Sequence, residues 1–205
     1  MASVINTEAP RASRGGRPRD PSRDGVIRDA ILRLLGDVGY GALTMDAVAA
    51  EAGVGKATIY RRWRTKQDLV VDTIAVMNQA LATPVDTGAL ESDVRELVHR
   101  TVDLVNGPTG TTIRSLLPSM QHQPALTEAF QEGPLKAWRD LYARMWAAAE
   151  ERGELPGGME QSVCAETCTA LLVQRWLLTD EPVTYAYADE VLDKVVVPLL
   201  RSLHP

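Results

Sequence analysis

Thr44 to Lys66 reads TMDAVAAEAGVGKATIYRRWRTK, and its spacing predicts two short helices meeting at a glycine turn, a helix-turn-helix. Thr44 is a good N-cap because its hydroxyl can accept from an orphan N–H of the first turn, and Asp46 places negative charge at the positive end of that helix. Met45, Val48 and Ala49 then share one apolar face. Gly53 is placed to take the left-handed conformation that ends a helix sharply. A second helix is expected from Gly55, held to the domain by Ile59 and Trp63, which are four residues apart. Lys56, Thr58, Tyr60, Arg61 and Arg62 are left to face outward.

A run of charge is usually a solvated helix face. Here cations alternate with hydrogen-bonding aromatic side chains, the helix is very short, and no acid occurs from Gly53 to Thr65. Such a face suits insertion into a DNA major groove, where side chains meet phosphates and base edges.

The residues Ala49-x-x-Ala52-Gly53-Val54-x-Lys56-Ala57-Thr58-Ile59-Tyr60-Arg61-Arg62-Trp63-x-x-Lys66-x-x-Leu69 resemble the DNA-binding signature of the TetR family of bacterial transcriptional regulators. The resemblance implies an all-α homodimer, with a three-helix DNA-binding domain followed by a larger helical ligand-binding and dimerisation domain. Carried over by position, Thr44, Tyr60 and Lys66 would hold phosphates, and Lys56, Thr58 and Arg61 would lie against the groove. Arg62 and Trp63 complete the candidate DNA-binding set. Gly55 stands where many family members have Ser or Thr, so any phosphate contact there must come from its backbone N–H.

Charge divides the chain in a way that fits this reading. The net charge is -5 over 205 residues, yet residues 1–66 hold 12 bases against 7 acids and residues 67–205 hold 10 against 20. A basic end on an acidic body suits a polyanion-binding module joined to a different kind of domain, and the body would repel DNA that approached it wrongly. No apolar run approaches the roughly 20 residues that span a bilayer, and the N-terminus has no signal-peptide core, so a cytoplasmic protein with no membrane partner is expected.

Residues 1–21 carry Pro, Gly, Arg and Ser without apolar periodicity and are expected to form a disordered basic arm, whose Arg17 and Arg19 are candidates for the minor groove. The helix-turn-helix domain is expected over 22–66. It opens with a helix from Ser22 to Val38 on the stripe Ile27, Ala30, Ile31, Leu34, Leu35, Val38, stopped by Gly39 and Gly41. Thr65-x-x-Asp68 is a capping-box variant opening a helix to about Ala82, which makes Lys66 both the last DNA contact and the first residue of a lever into the body.

The body, 67–205, reads as helices throughout. One carries Leu90 to Val105. The next holds Ile113 to Met120 and should kink at Pro118, and a short one starts at Pro124. A longer helix, Leu135 to Ala149, follows Gly133-Pro134. The last two helices, about 158–179 and 184–201, are apolar around most of their circumference and so are enclosed or paired with another chain. In the family these two pair with their symmetry mates, and the segment from about 111 to 203 more loosely resembles one of its C-terminal domain types.

Kinked and aromatic helices leave concave apolar space, which makes Met120, Trp138, Tyr142, Met145 and Cys168 candidates for a small-molecule site, with core packing as the plainer reading of each. Cys164 and Cys168 share a helix face as buried small hydrophobes. His99, His122 and His204 show no metal-ligand spacing with them, and neither metal nor cofactor is expected. An enzyme would need a converging nucleophile, base or metal set, which these residues do not form. The function expected is a repressor released from a pseudo-palindromic operator by an unknown apolar ligand. The rival is a ligand-independent helix-turn-helix DNA-binding or interaction protein, favoured by a densely packed body and disfavoured by a cavity.

Overall fold

The computed structural model describes residues 21–77, 83–159, 162–179 and 181–203, and these are helical and contain no strand. The arm with Arg17 and Arg19 lies outside the described residues, as does the expected end of the fourth helix near Ala82. The helices are α1 (Pro21–Ala42), α2 (Met45–Glu51), α3 (Lys56–Tyr60), α4 (Lys66–Val76), α5 (Leu90–Asn106), α6 (Pro108–Met120), α7 (Pro124–Phe130), α8 (Lys136–Glu151), α9 (Val163–Leu178), α10 (Tyr185–Val191) and α11 (Val197–Ser202). No described helix is long and apolar enough to cross a membrane.

Local chemistry fixes the first four helices much as the sequence predicts. The Ala47 N–H donates to the Thr44 hydroxyl at 3.1 Å. Gly53 takes φ 62 between α2 and α3, a region open to glycine because it has no Cβ. Thr65 and Asp68 form the reciprocal capping box, with bonds of 3.1 and 3.0 Å. In α1 the regular helix breaks at Gly39, φ 73, and one further turn continues to Ala42.

Ile27, Ala30, Ile31 and Leu35 of α1, Val48 of α2, Ile59 of α3 and Leu69, Val70 and Ile74 of α4 close one apolar core. Leu116 of α6 and Leu126 of α7 enter the same core, 1% and 0% exposed. Helix α6 lies so close on α1 that an added Cβ at Gly36 would stand 3.3 Å from the Thr111 methyl. The Thr112 hydroxyl reaches the Leu32 carbonyl at 3.4 Å.

A second core fills the body. Val94, Leu97, Val98 and Val102 of α5 pack against Leu141, Tyr142, Met145 and Trp146 of α8, Cys168 and Leu172 of α9, and Val191, Leu192, Val196 and Leu200 towards the C-terminus. The corner between α5 and α6 needs glycine, since a Cβ at Gly110 would meet the Val105 carbonyl oxygen at 2.3 Å.

The joints of the body match the sequence reading except at the start of α9. Gly133-Pro134 separates α7 from α8 as expected: within the turn Gln131–Leu135 the backbone leaves helical geometry at Gly133 (φ -98, ψ -109). A π turn, Leu192–Val196, joins α10 to α11 within the single helix expected over 184–201. This turn adds a residue without interrupting the helix. Helix α9 starts later than expected, because the Ser162 hydroxyl caps it by accepting from the Cys164 N–H. Pro118 lies within α6, two residues before its end at Met120, so its missing N–H falls in the last turn.

The ends of α5 and α8 are tied by a buried carboxylate. Asp93 is 0% exposed; it accepts from the Thr87 N–H at 2.6 Å, the Thr87 hydroxyl at 2.7 Å and the Arg152 guanidinium at 2.8 Å. Arg152 also pairs with Glu154, whose carboxylate accepts from the Leu90 N–H at 2.7 Å. Burial alone would raise the Asp93 carboxyl, but the Thr87 and Arg152 bonds outweigh it and hold the group below the usual carboxylate range. A depressed folded-state pKa contributes stability that is present above the unfolded value and lost as pH falls through the folded one. Asp93→Asn should therefore lower stability by about 1–3 kcal/mol at neutral pH and by less in acid, read from urea unfolding of the full chain across that range.

Candidate nucleic-acid interface and body cavity

Helix α3 is a single turn and a half presented on a rigid base. Its inner face is set by Ile59, 0% exposed, and the chain just beyond it by Trp63, 7% exposed. Gly55 precedes it in extended conformation and accepts the Thr58 N–H at 2.8 Å through its carbonyl. Lys56, Tyr60 and Arg61 are exposed, as is Arg64, while Thr58 is half-buried. These side chains form a cationic and hydroxyl-bearing surface, with the Thr44 cap of α2 also exposed.

The geometry separates cations that can meet a polyanion from cations held within the domain. Arg62 does not face outward as its sequence position suggested: its guanidinium is 14% exposed and pairs with Asp24 of α1. Trp63 packs in the core beside Ile59 as its spacing predicted, which removes it from the candidate DNA-binding surface. Lys66 is half-buried, with its ammonium 2.8 Å from the Tyr40 carbonyl, 3.2 Å from the Gly41 carbonyl and over the Tyr40 ring. That cation satisfies carbonyls just beyond the break at Gly39. Lys56 pairs with Asp46 at 2.6 Å, but both side chains are more than half exposed, so a phosphate can compete for the lysine at little cost.

Sequence reading missed Asp24 as the partner of Arg62 and Arg64 as an exposed cation beside Arg61. The signal for Arg64 was present in the run Arg61-Arg62-Trp63-Arg64. The pairing with Asp24 depends on how α1 crosses α3, and nothing in the local sequence reports that.

The body contains a cavity of about 240 Å³. Leu104 and Val105 of α5, Ile113 and Leu117 of α6, Trp138 of α8 and Trp176 of α9 form much of its wall, and Met77, just beyond α4, reaches it. Among the described residues Thr101 and Thr109 are the polar members of the lining, and none is charged. Of the five candidates from sequence, Trp138 lines the cavity. Tyr142, Met145 and Cys168 are instead core residues, 8%, 1% and 0% exposed, and Met120 packs at the edge of the first core. Burial pushes the Tyr142 hydroxyl far up and the Cys168 thiol up to about 12, so both stay protonated near neutral pH. The residues missed, Ile113 with Leu117 and Val173 with Trp176 and Leu177, share helix faces at i, i+3 and i+4. That spacing marks a buried face but does not distinguish a wall from a filled core.

Two family descriptions match the chain: "Bacterial regulatory proteins, tetR family" over residues 27–73 and "Tetracyclin repressor-like, C-terminal domain" over residues 84–195. An uncharacterised HTH-type transcriptional regulator of Mycobacterium tuberculosis is 32% identical over 90% of this chain and 93% of its own. A DNA-binding transcriptional repressor of Mycobacteroides abscessus is 26% identical, covering 89% of this chain and 96% of that one. Among solved structures, a TetR family transcription regulator superposes with TM-score 0.65 at 26% identity, over 90% of this chain and 100% of its own.

The division of cations yields a paired prediction. Lys56→Gln should weaken binding to DNA about ten-fold or more, the scale of one lost base or phosphate contact. Arg62→Gln should shift the unfolding midpoint and leave the slope of log affinity against log salt unchanged, because its charge is committed to Asp24. Salt-titrated fluorescence anisotropy and thermal unfolding of the two variants separate these outcomes.

Proposed function

The chain belongs to the TetR family and is a helix-turn-helix transcriptional regulator, and from that premise we propose that it is a homodimeric repressor released from its operator by a small apolar ligand. Residues 22–66 serve as the reading unit and 67–205 as the sensing and dimerising body, with the basic arm ahead of them. Repression, rather than activation, is supported by the similarity to the Mycobacteroides repressor.

The observation that carries the ligand-responsive reading is the double use of α6. Ile113 and Leu117 face the cavity, while Thr112 and Leu116 face α1 and the core of the reading unit. A molecule that enlarges or fills the cavity presses on the helix that α1 rests upon. Met77 gives a second route through α4, whose first residue, Lys66, is fastened to the last turn of α1. A ligand shifts the balance only if it binds the non-operator arrangement more tightly than the operator-bound one.

For the dimer, the supporting observation is apolar surface on the last helices. Val163 and Leu178 of α9 are 79% and 77% exposed, and Leu171, Leu177 and Val195 are each more than a third exposed. A mirrored pair of such faces would bury them and set two copies of α3 about 34–36 Å apart, the repeat of one helical turn of DNA. On DNA the candidates Thr44, Gly55, Lys56, Thr58, Tyr60 and Arg61 lie on the approaching face. Lys66 would take a phosphate only by giving up its carbonyl partners.

Leu178→Asp should yield a monomer by sedimentation velocity and lose operator binding, whereas Tyr60→Ala should lose operator binding and remain dimeric. Tyr60→Ala that binds a cognate operator like the parent would refute the assigned reading face. Naphthalene, a neutral apolar probe, should lower operator affinity in the parent. Leu117→Trp, which fills the cavity, should abolish that response while the protein still binds DNA. A parent indifferent to naphthalene and to other neutral probes of that size would favour the ligand-independent rival.

A further inference from the structure

A second, polar chamber of about 400 Å³ lies against the apolar cavity. Val105 and Trp176 line both spaces, so the indole of Trp176 is a shared wall. On the far side of that wall Arg114 of α6 lies with its guanidinium 5.3 Å from the Trp176 ring centroid. Stacking on an aromatic face holds a guanidinium in place while leaving its N–H edges available. The acid of the chamber lining, Glu181, is held by Arg175 at 3.1 Å, and no described carboxylate pairs with Arg114. The Asn106 amide is occupied by the Val183 carbonyl at 2.7 Å, and the Thr179 hydroxyl by the Arg175 carbonyl at 2.7 Å. Among the described residues of the lining, Arg114 is thus the charged group without a partner of opposite sign.

The two spaces make opposite demands on a ligand. None of the described residues lining the cavity is charged, and an ion buried among them would lose its hydration without compensation. The chamber offers what an anion lacks in the cavity: a forked donor, partly solvated, on the outer face of the same tryptophan. From this juxtaposition we infer that the ligand is an amphipathic monocarboxylic acid, with its apolar body in the cavity and its carboxylate passing Trp176 to Arg114. The inference rests on the ligand-sensing reading above and adds the chemistry of the head group. It also makes α6 the recipient of both ends of the ligand, since Ile113 and Leu117 touch the apolar body and Arg114 the carboxylate.

Decanoate, decanol and decylamine, each below its aggregation limit, separate body from head group by calorimetric titration of the full chain. Decanoate should bind about ten-fold or more tighter than decanol, the scale of a charge-assisted hydrogen bond, and decylamine should be the weakest. Arg114→Gln should reduce decanoate to the affinity of decanol and leave decanol unchanged, and Arg114→Lys should restore part of the preference. Arg114 is exposed, so these variants should fold like the parent, which thermal unfolding checks. Equal affinity for decanoate and decanol, or a decanoate preference that survives Arg114→Gln, overturns the head-group assignment. Failure of all three to bind overturns the ligand class, while the response to naphthalene independently decides whether the cavity senses anything.

Discussion

Leu116 and Leu126 belong by sequence to the body, yet they are buried in the core that α1 to α4 build. The reading unit therefore shares a core with the body instead of hanging from it on a linker. Removing either leucine from that core would open a cavity costing about 2–5 kcal/mol, so the two parts are held together by an energy comparable to a large fraction of a domain's net stability. In the proposed ligand response, displacement in the body would reach the reading unit through this shared packing, because close-packed interfaces have no slack.

Helix α6 is the element on which these constraints meet. Thr111 and Thr112 approach α1 at Gly36 and Leu32, where only a hydrogen separates a backbone from a methyl group. One and two residues further on, Ile113 faces the cavity and Arg114 the polar chamber. A helix that is only 13 residues long thus has one side on the reading unit and the other on the candidate ligand site. The expected lever, α4, remains in contact with the cavity through Met77, but α6 is the more extensive connection.

The reading surface shows a related economy of charge. Lys66, Arg62 and Lys56 each have an internal partner: the Tyr40 and Gly41 carbonyls, Asp24 and Asp46. They differ in exposure, and exposure decides what each is for. A half-buried cation with two carbonyl acceptors or a carboxylate is part of the fold. An exposed pair such as Lys56 and Asp46 is worth little on its own and leaves the lysine able to exchange partners, as the proposed phosphate contact requires.

The sequence by itself determined the local structure that caps and turns dictate: Thr44, Gly53 and the Thr65–Asp68 box sit where their hydroxyl, missing Cβ and carboxylate are required, because those signals act over three or four residues. It also determined the helical class and the face of α3, since periodicity reports which side of a helix is buried. Only the tertiary structure decided that Arg62 is taken by Asp24, and that Tyr142, Met145 and Cys168 fill a core while Ile113, Leu117 and Trp176 line a cavity. The physical reason is one of range. An apolar side chain at helical spacing must be buried, but whether it meets another side chain or an empty space depends on how helices distant in sequence cross, and no stretch of residues encodes that alone.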